Sequence, residues 1–423
     1  MLTSAERRVL GQIDRFRDEM VGFLQSLIRI PTINPPGENY DPCARLIGDF
    51  LSNLHYDVSY IVAEDHPDHS VDFPRVNVLG RLEGSGAGPA VHLNGHTDVV
   101  PAGEGWTVDP FGGTVKDGRV YGRGACDMKG GIASALFAAA ALRDSGVDLF
   151  GALEFSGTVD EESGGFAGMA HLAEEGFITP EKTACVIIPE PLNVDRICLG
   201  HRGVYWFEIE TLGRIAHGSM PFLGSNAIDM MGSLIDRIDR SLRPELARRH
   251  TSMPVEPPGA RQATLNINGI FGGQPQHGVG SPCVADRCAA VFDRRFLIEE
   301  PIADVKFEIN AILDEMRSAD PDFQAELKEL MVVEPVETAR DADVVLAATG
   351  AIQDVLNTPA SYIASPGTYD HKHVVNIGGV SQCIAYGPGM LDLAHQPDEY
   401  CEIEHMVQSS KVIALSIMRL SGT

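Results

Sequence analysis

The stretch VHLNGHTDVV, residues 91–100, decides how the rest of the chain is interpreted. Its apolar, alternating first half ends at Asn94-Gly95, which predicts a buried strand followed by a turn. His96 stands just beyond this strand, and Asp98 follows two residues later. A metal-binding histidine usually donates its second ring N–H to a carboxylate, so the two residues could form part of a metal site. Taken alone, the same residues are also typical of an ordinary loop with an Asx turn.

The composition is that of a globular protein and limits its partners. Of 423 residues, 44% are hydrophobic and 22% are charged, and the formal net charge is −26. We therefore expect no nucleic-acid or anionic-membrane partner, whereas cations are compatible. No apolar run approaches the roughly 18 residues of a membrane span, and the N-terminus lacks a secretory signal. The eight cysteines include no Cys-x-x-Cys pair, which predicts buried free thiols and a cytoplasmic location.

Apolar strands alternate with helices along most of the chain, a pattern that predicts an α/β fold with a mostly parallel sheet flanked by helices. The strand-like runs include AVHLNG, ALEFSGTV and ACVII. From residue 198 the pattern changes, because GVYWFEIETLG alternates apolar and polar residues as a half-exposed antiparallel strand does. We predict one α/β domain formed by residues 1–197 and 319–423, interrupted at 198–318 by an α+β domain of four strands and two helices.

Several potential metal ligands follow predicted strands or glycine-rich turns. Ligands bind at the carboxyl ends of strands in open α/β sheets, so these side chains are expected to converge at one sheet edge. Two histidines and three of the four carboxylates suit a pair of divalent ions bridged by one carboxylate. Zinc, cobalt and manganese all accept such ligands, and the sequence does not choose among them. The candidates are His96, Asp127, Glu161, Glu162, Glu190 and His395.

Ordinary structural interpretations exist for the same residues. Glu161-Glu162 could form a solvated acidic turn, and Glu190 could be a surface acid at a strand end. His395 could be a helix-capping or core histidine. Adjacent glutamates point to opposite faces of a regular strand, so both can reach one site only from a loop, which the following Ser-Gly-Gly allows.

The motifs HTDVV, GRGACDMKGG, DEESGG, PEP at 189–191 and AHQPDEY resemble, in order and spacing, those of the co-catalytic metal amidohydrolase family. That family includes acetylornithine deacetylase, succinyl-diaminopimelate desuccinylase, aminoacylases and glutamate carboxypeptidases. The resemblance extends over nearly the whole chain. It implies a di-zinc peptidase-like catalytic domain, an inserted lid and dimerisation domain, a homodimer or higher homo-oligomer, and two divalent ions per subunit.

The resemblance also implies which residues bind the two ions. His96 and Glu190 would hold one ion. Glu162 and His395 would hold the other, and Asp127 would bridge the pair.

Two further residues receive catalytic roles from the resemblance. Asp98 would orient the first histidine ligand. Glu161 would be the general base that takes a proton from the attacking, metal-activated water and passes it to the departing nitrogen. The family often has a cis peptide bond after its bridging aspartate, which corresponds to Asp127-Met128.

Three residues of the insert resemble substrate-site residues of the family. His217 would reach the partner subunit's active site and stabilise the tetrahedral oxyanion, with an ordinary turn histidine as the alternative. Asn226 stands at a predicted helix start, where an N-cap role is the alternative. Arg295, in DRRF, would bind a substrate carboxylate, with a cross-strand ion pair as the alternative.

Two loops depart from the family pattern. Relatives often have an Asn-x-x-Pro loop after the glycine pair of the insert, where this chain has GGQPQHGVGSPC. The loop PGTYDHKHVV keeps Asp370 but continues unusually with His371, Lys372 and His373. We expect these residues to line a polar, cationic substrate pocket; an extra metal site at the two histidines is the alternative.

These observations predict a metal-dependent hydrolase of a C–N bond in a small carboxylate-bearing substrate, first of all an N-acyl amino acid amidohydrolase. The changed loop leaves open an aminohydrolase that releases ammonia from an aromatic amino-carboxylate, as 5-nitroanthranilate aminohydrolase does. A non-catalytic binding protein on the same scaffold is a third interpretation, against which the complete ligand set argues.

Overall fold

The computed structural model describes residues 2–273 and 282–422, so most of the unusual GGQPQHGVGSPC loop lies outside the described residues. The helices are α1 Ser4–Arg15, α2 Arg17–Ile28, α3 Tyr40–Asn53, α4 Gly130–Asp144, α5 His171–Glu174, α6 Ala227–Arg240, α7 Leu242–Leu246, α8 Ile302–Ala319, α9 Asp343–Leu356, α10 His371–Asn376 and α11 Ile403–Leu420. The strands are β1 Asp57–Val62, β2 Val76–Leu82, β3 Gly88–His96, β4 Thr114–Lys116, β5 Arg119–Tyr121, β6 Gly151–Thr158, β7 Thr183–Ile188, β8 Arg196–His201, β9 Gly203–Leu212, β10 Thr264–Gly272, β11 Arg287–Phe296, β12 Ala325–Val333, β13 Val336–Glu337, β14 Ser361–Ser365, β15 Cys383–Ala385 and β16 Tyr400–Glu402.

The chain forms two compact units. The first contains Met1–Gly200, Thr338–Ile363 and Tyr369–Thr423. The second contains His201–Glu337 and Ala364–Thr368. The predicted insert at 198–318 therefore ends too early, and the second boundary lies after residue 337.

A sheet with the strand order β1-β2-β6-β3-β7-β15-β8 forms the centre of the first unit. Its middle strands are parallel, because β3 pairs in parallel with both β6 and β7, and β15 pairs in parallel with β7. At one side of the sheet, β1 pairs with β2 and β2 pairs with β6, and both pairs are antiparallel. Every residue of β6 is buried, as expected for a strand covered on both faces. The predicted α/β class with a mostly parallel central sheet is confirmed.

Small residues let helix α4 pack closely in the core of this unit. Its sequence GGIASALFAAAALRD is buried from its first residue through Leu142. Ala125–Asp144 is the single segment of the described residues with the length and apolar composition of a membrane-spanning helix, and its apolar window is buried inside the protein. Such burial fits a core helix, and one segment of this kind is weak evidence for a membrane span.

The second unit has its own antiparallel sheet and core. The strand order is β10-β11-β9-β12, and buried side chains of α6 and α8 belong to the same apolar cluster as those of the sheet. The fourth strand of the insert is thus β12, which lies beyond the predicted boundary at 318. Its sequence AELKELMVV carries three charged residues, it is an edge strand, and a bulge between Glu329 and Met331 interrupts its register with β9. These features weaken the alternation by which a strand is recognised in a sequence.

All eight cysteines lie among the described residues, and all are free thiols. Seven are buried, and Cys283 is partly exposed. This state is the one expected from the spacing of the cysteines.

Gly131 provides a test of the close packing of α4. A Cβ atom at this position would lie 1.9 Å from the carbonyl oxygen of Pro189. We expect Gly131→Ala to reduce the free energy of unfolding by about 2 kcal/mol, within the usual range for an overpacked core, and to lower the melting temperature measured by calorimetry.

Gly22 in α2 is the matched control, because a Cβ atom there would meet nothing within 4 Å. Gly22→Ala should leave stability unchanged or raise it by about 0.5–1 kcal/mol through helix propensity. Equal melting temperatures for Gly131→Ala and the wild type would contradict the close approach of α4 to the Pro189 carbonyl.

Candidate metal centre

The strand order brings three ligand-bearing segments side by side. His96 is the last residue of β3, Glu161 and Glu162 follow β6, and Glu190 follows β7. Because β6, β3 and β7 are parallel neighbours, their carboxyl ends meet at one edge of the sheet. A short 3₁₀ turn at Glu161–Ser163 provides the loop that the adjacent glutamates require.

Asp127 lies between two histidine–glutamate pairs. Its Oδ1 is 3.1 Å from His96 Nε2, and its Oδ2 is 3.5 Å from His395 Nε2. Glu190 Oε1 is 4.0 Å from the first histidine nitrogen, and Glu162 Oε1 is 3.1 Å from the second. One ligand atom each of His96, Asp127 and Glu162 fall within 4.8 Å of one another. The Asp127-Met128 peptide bond is cis.

The electrostatics of these residues fit a site for cations. Burial, and then the charge of Asp127, hold the pKa of Glu190 well above its usual range. Burial also raises the pKa of Glu162, although the hydrogen bond with His395 opposes this. Mutually repelling, buried carboxylates beside imidazole nitrogens form a donor set that suits divalent ions with nitrogen and oxygen ligands. The residues present therefore fit the two ions that the sequence predicts.

Asp98 holds two of the ligand segments together. His96 Nδ1 is 3.1 Å from the Asp98 backbone oxygen and 3.5 Å from its carboxylate. The same carboxylate accepts the backbone N–H groups of Glu161 and Glu162 at 3.2 and 3.1 Å. Asn34 donates a further hydrogen bond to it at 2.9 Å. The carboxylate that was expected to orient a histidine thus also positions the glutamate turn.

The turn has a second support that sequence reasoning missed. Asp160, which precedes the glutamates, has a positive φ of 61° and a buried side chain. Its carboxylate accepts hydrogen bonds from Arg75 Nε at 2.8 Å and from the Tyr40 hydroxyl at 2.6 Å. The acidic residue before Glu161-Glu162 was the only local signal, and nothing near Tyr40 or Arg75 in the sequence points to this contact.

Glu161 is separated from the ligand contacts and faces a lysine. Its Oε1 lies 3.8 Å from Lys372 Nζ. Burial raises the pKa of Glu161 to about 8, although the charge of Lys372 acts in the opposite direction. Asp370 lies nearby in the same segment and accepts hydrogen bonds from Asn94 at 2.8 Å and Thr158 at 3.2 Å.

The two histidines of the unusual loop have partners inside the protein. His371 is buried, and its ring nitrogens lie 3.1 Å from the Tyr369 hydroxyl and 3.3 Å from Thr338 Oγ1. His373 Nε2 lies 2.7 Å from the backbone oxygen of Gly164. These contacts give no support to a metal site formed by the two histidines, and they leave Lys372 as the residue of this loop that faces Glu161.

The remaining predicted substrate residues belong to the second unit, where the structure shows local contacts for each. His217 Nδ1 lies 2.8 Å from the hydroxyl oxygen of Ser219. The Asn226 side chain caps α6 by accepting a backbone N–H at 3.0 Å. Arg295 forms a two-point ion pair with Asp293 at 2.7 and 3.1 Å. Their predicted roles toward substrate remain predictions.

Comparison with known proteins shows to which family the chain belongs. Residues 92–419 match the peptidase family M20/M25/M40. The acetylornithine deacetylase of Klebsiella pneumoniae (strain 342) is 30% identical, over 92% of this chain and 94% of its own length. The N-formyl-4-amino-5-aminomethyl-2-methylpyrimidine deformylase of Bacillus subtilis (strain 168) is 27% identical, over 95% of this chain and 94% of its own length.

Among solved structures, a dinuclear metal binding peptidase from the M20 family of Bacillus subtilis has the same fold, with a TM-score of 0.70, 17% identity and coverage of 97% of this chain and 100% of that one. The chain therefore belongs to peptidase family M20/M25/M40, and it is a metal-dependent hydrolase of carbon–nitrogen bonds other than ordinary protein peptide bonds.

Proposed function

We propose that the chain is an N-acyl amino acid amidohydrolase that acts on a small carboxylate-bearing substrate with two divalent ions. The observation that carries the proposal is the Asp127 carboxylate, whose two oxygens face two different histidines, beside the glutamate–lysine pair Glu161 and Lys372. The names of the relatives, a deacetylase and a deformylase, support removal of a small acyl group.

The five ligand residues would divide between the two ions. His96 and Glu190 would hold one ion, Glu162 and His395 the other, and Asp127 both. Zinc, cobalt or manganese, when bound there, would lower the pKa of a water molecule and polarise the substrate carbonyl.

Glu161 is proposed as the proton carrier of the reaction. Its carboxylate would accept the proton of the attacking water and then donate it to the nitrogen of the departing amino acid. Its backbone N–H is fixed by Asp98, so the side chain is presented from a defined turn. Asp98 thereby contributes to the position of the base as well as to that of His96.

Lys372 is proposed to bind a carboxylate of the substrate. Its side chain is 3% exposed, and its Nζ has no hydrogen-bond partner within the described part of the chain. A buried ammonium group without such a partner is costly, and an anionic oxygen of the substrate would satisfy it. Asp370 and His373 would shape the same side of the pocket, whereas the contacts of His371 make it a supporting residue.

A cytoplasmic homodimer is part of the proposal. The free, mostly buried thiols support a reducing compartment. In the dimer, His217 would act on the partner subunit's substrate as an oxyanion donor. Arg295 and Asn226 are proposed to contact the substrate.

A substrate screen tests the proposal directly. Enzyme loaded separately with zinc, cobalt or manganese is incubated with N-acetyl, N-succinyl and N-formyl amino acids, dipeptides and substituted anthranilates, and the products are identified by mass spectrometry. We expect a free amino acid with the matching acyl acid. Ammonia with a hydroxy-aromatic product would instead establish the aminohydrolase alternative. Metal binding without turnover of any compound would favour a binding protein.

Glu161→Gln separates catalysis from metal binding. The amide has the same shape but cannot carry the proton, so kcat should fall on the order of 10²–10⁴-fold while metal content stays that of the wild type. Turnover and metal analysis of the same samples provide the measurement.

Glu162→Gln is the matched control for this prediction, since the neighbouring residue is a proposed ligand. It should reduce metal content as well as activity. If Glu161→Gln lost as much metal as Glu162→Gln, Glu161 would be a ligand and the assigned roles would be wrong.

Lys372→Met tests carboxylate recognition. Loss of a charged hydrogen bond should lower kcat/KM for the carboxylate substrate on the order of 10–100-fold, chiefly through KM, whereas Lys372→Arg should retain most of it. The neutral amide of the same substrate, which cannot use the ammonium charge, should be affected much less. An equal loss for both compounds would mean that Lys372 acts through Glu161 rather than on the substrate.

A further inference from the structure

Arg123 and Glu399 lie in two of the motifs on which the family resemblance rests, GRGACDMKGG and AHQPDEY, yet neither belongs to the proposed metal ligands or substrate-binding residues. Arg123 Nη1 is 2.5 Å from Glu399 Oε2, and the two side chains are 2% and 1% exposed. A fully buried ion pair is weak evidence for stability, because desolvation offsets much of the attraction. The further hydrogen bonds of the two side chains indicate a second role for the pair.

Glu399 holds the backbone of the proposed bridging ligand. Its Oε1 accepts the N–H of Cys126 at 2.8 Å and the N–H of Asp127 at 3.1 Å. Both oxygens of the carboxylate are therefore engaged, one by the backbone before α4 and the other by Arg123. Any displacement of this carboxylate would displace Asp127.

Arg123 holds the backbone of the proposed histidine ligand on the same side. Its Nη2 donates to the carbonyl oxygens of His395 at 3.2 Å and Ala102 at 3.0 Å, and its Nη1 donates to that of Gln396 at 3.3 Å. His395 needs such support, because it lies in a loop with a positive φ of 64°. Its side chain is 48% exposed, whereas that of Asp127 is 12% exposed.

The other proposed ion site has a different support. His96 ends a central strand and is held by Asp98, and Glu190 follows a second central strand. Within the part of the chain that the structure describes, neither His96 nor Glu190 forms a hydrogen bond or an ion pair with Arg123 or Glu399. Asp127 would serve both ions, whereas His395 would serve only one, so a defect in the ion pair should weaken the ion of Glu162 and His395 more than the ion of His96 and Glu190.

We propose that the Arg123–Glu399 pair is a positioning element for one metal site, which fixes Asp127 and His395 relative to each other so that the ion shared with Glu162 is bound tightly. The inference rests on the ligand set proposed above. The residues act through backbone contacts and do not themselves bind metal or substrate.

Arg123→Lys tests this proposal while keeping the charge. A single ammonium group cannot bond to Glu399 and to the carbonyl oxygens at the same time, as the guanidinium fork does. Metal-free protein is titrated with Co²⁺, with visible absorption and bound-metal analysis giving the stepwise affinities. We expect the ion bound by Glu162 and His395 to be weakened about 10–100-fold, the usual cost of disturbing a support of metal ligands. The ion bound by His96 and Glu190 shares only Asp127 and should be weakened less, so the ratio of the two stepwise affinities should change.

Arg119→Lys is the matched control. Arg119 pairs with Glu402 at 3.2 Å between β5 and β16, the strands that adjoin Arg123 and Glu399, but both side chains are about one-third exposed. The Arg119→Lys variant should bind both Co²⁺ ions with the affinities of the wild type. Glu399→Asp is the second test variant, because it keeps the charge and withdraws the carboxylate from the N–H groups of Cys126 and Asp127.

The outcomes distinguish this inference from the proposed function. Fewer than two Co²⁺ ions per wild-type chain would overturn the proposed metal centre itself. Two ions in the wild type, with unchanged stepwise affinities in both Arg123→Lys and Glu399→Asp, would overturn only the positioning role. Equal weakening of both ions, accompanied by a lower melting temperature, would also overturn it, because that result indicates general destabilisation. Unequal weakening of the two ions in either variant, with Arg119→Lys normal, supports it.

Discussion

The close approach of buried carboxylates at one edge of a parallel sheet is the constraint on which the rest of the structure depends. Like charges removed from water repel one another and resist ionisation, so each needs a compensating partner. The protein supplies partners around the outside of the group: Arg75 for Asp160, Arg123 for Glu399 and Lys372 beside Glu161. The two proposed ions would complete the compensation at its centre.

The sheet supplies the geometry that this charge arrangement requires. Parallel neighbours β6, β3 and β7 end at the same level, so residues far apart in sequence reach one another without long loops. Helix α4 then packs against the Pro189 carbonyl so closely that only glycine fits at position 131. The segment that bears Glu190 is thereby packed against the core of the unit, and the position of the proposed metal site is fixed by the main sheet.

The sequence was most informative where a residue's chemistry and its place after a strand agreed. The convergence of His96, Glu162 and Glu190 at one sheet edge could be predicted, because each follows a strand of one sheet and the motifs of a known family gave their order. The supports of these residues could not be predicted in the same way. Tyr40, Arg75 and Asn34 are distant in sequence from the acids that they contact, and their local surroundings are ordinary.

The errors have equally physical causes. The second domain boundary was missed because β12 is a charged, bulged edge strand whose alternation is weak. The unusual His371 suggested a pocket residue, but its ring is enclosed by Tyr369 and Thr338, and a single sequence carries no information about such an enclosure. Asn226 is not among the errors: the structure contains the N-cap contact that any helix start allows, and a role toward substrate stays a prediction.

The shared support provided by Asp98 has an evolutionary consequence. One carboxylate contacts His96 and the backbone of both glutamates, so a substitution there would disturb the proposed metal ligands and the proposed general base together. The segment around Asp370 is held by Asn94 and Thr158, and it meets the glutamate turn through His373 and Lys372. Other positions of this segment, such as His371, contact different groups. Selection can thus change those positions while the turn stays constant, which suits the architecture to the divergence of new specificities from one chemistry.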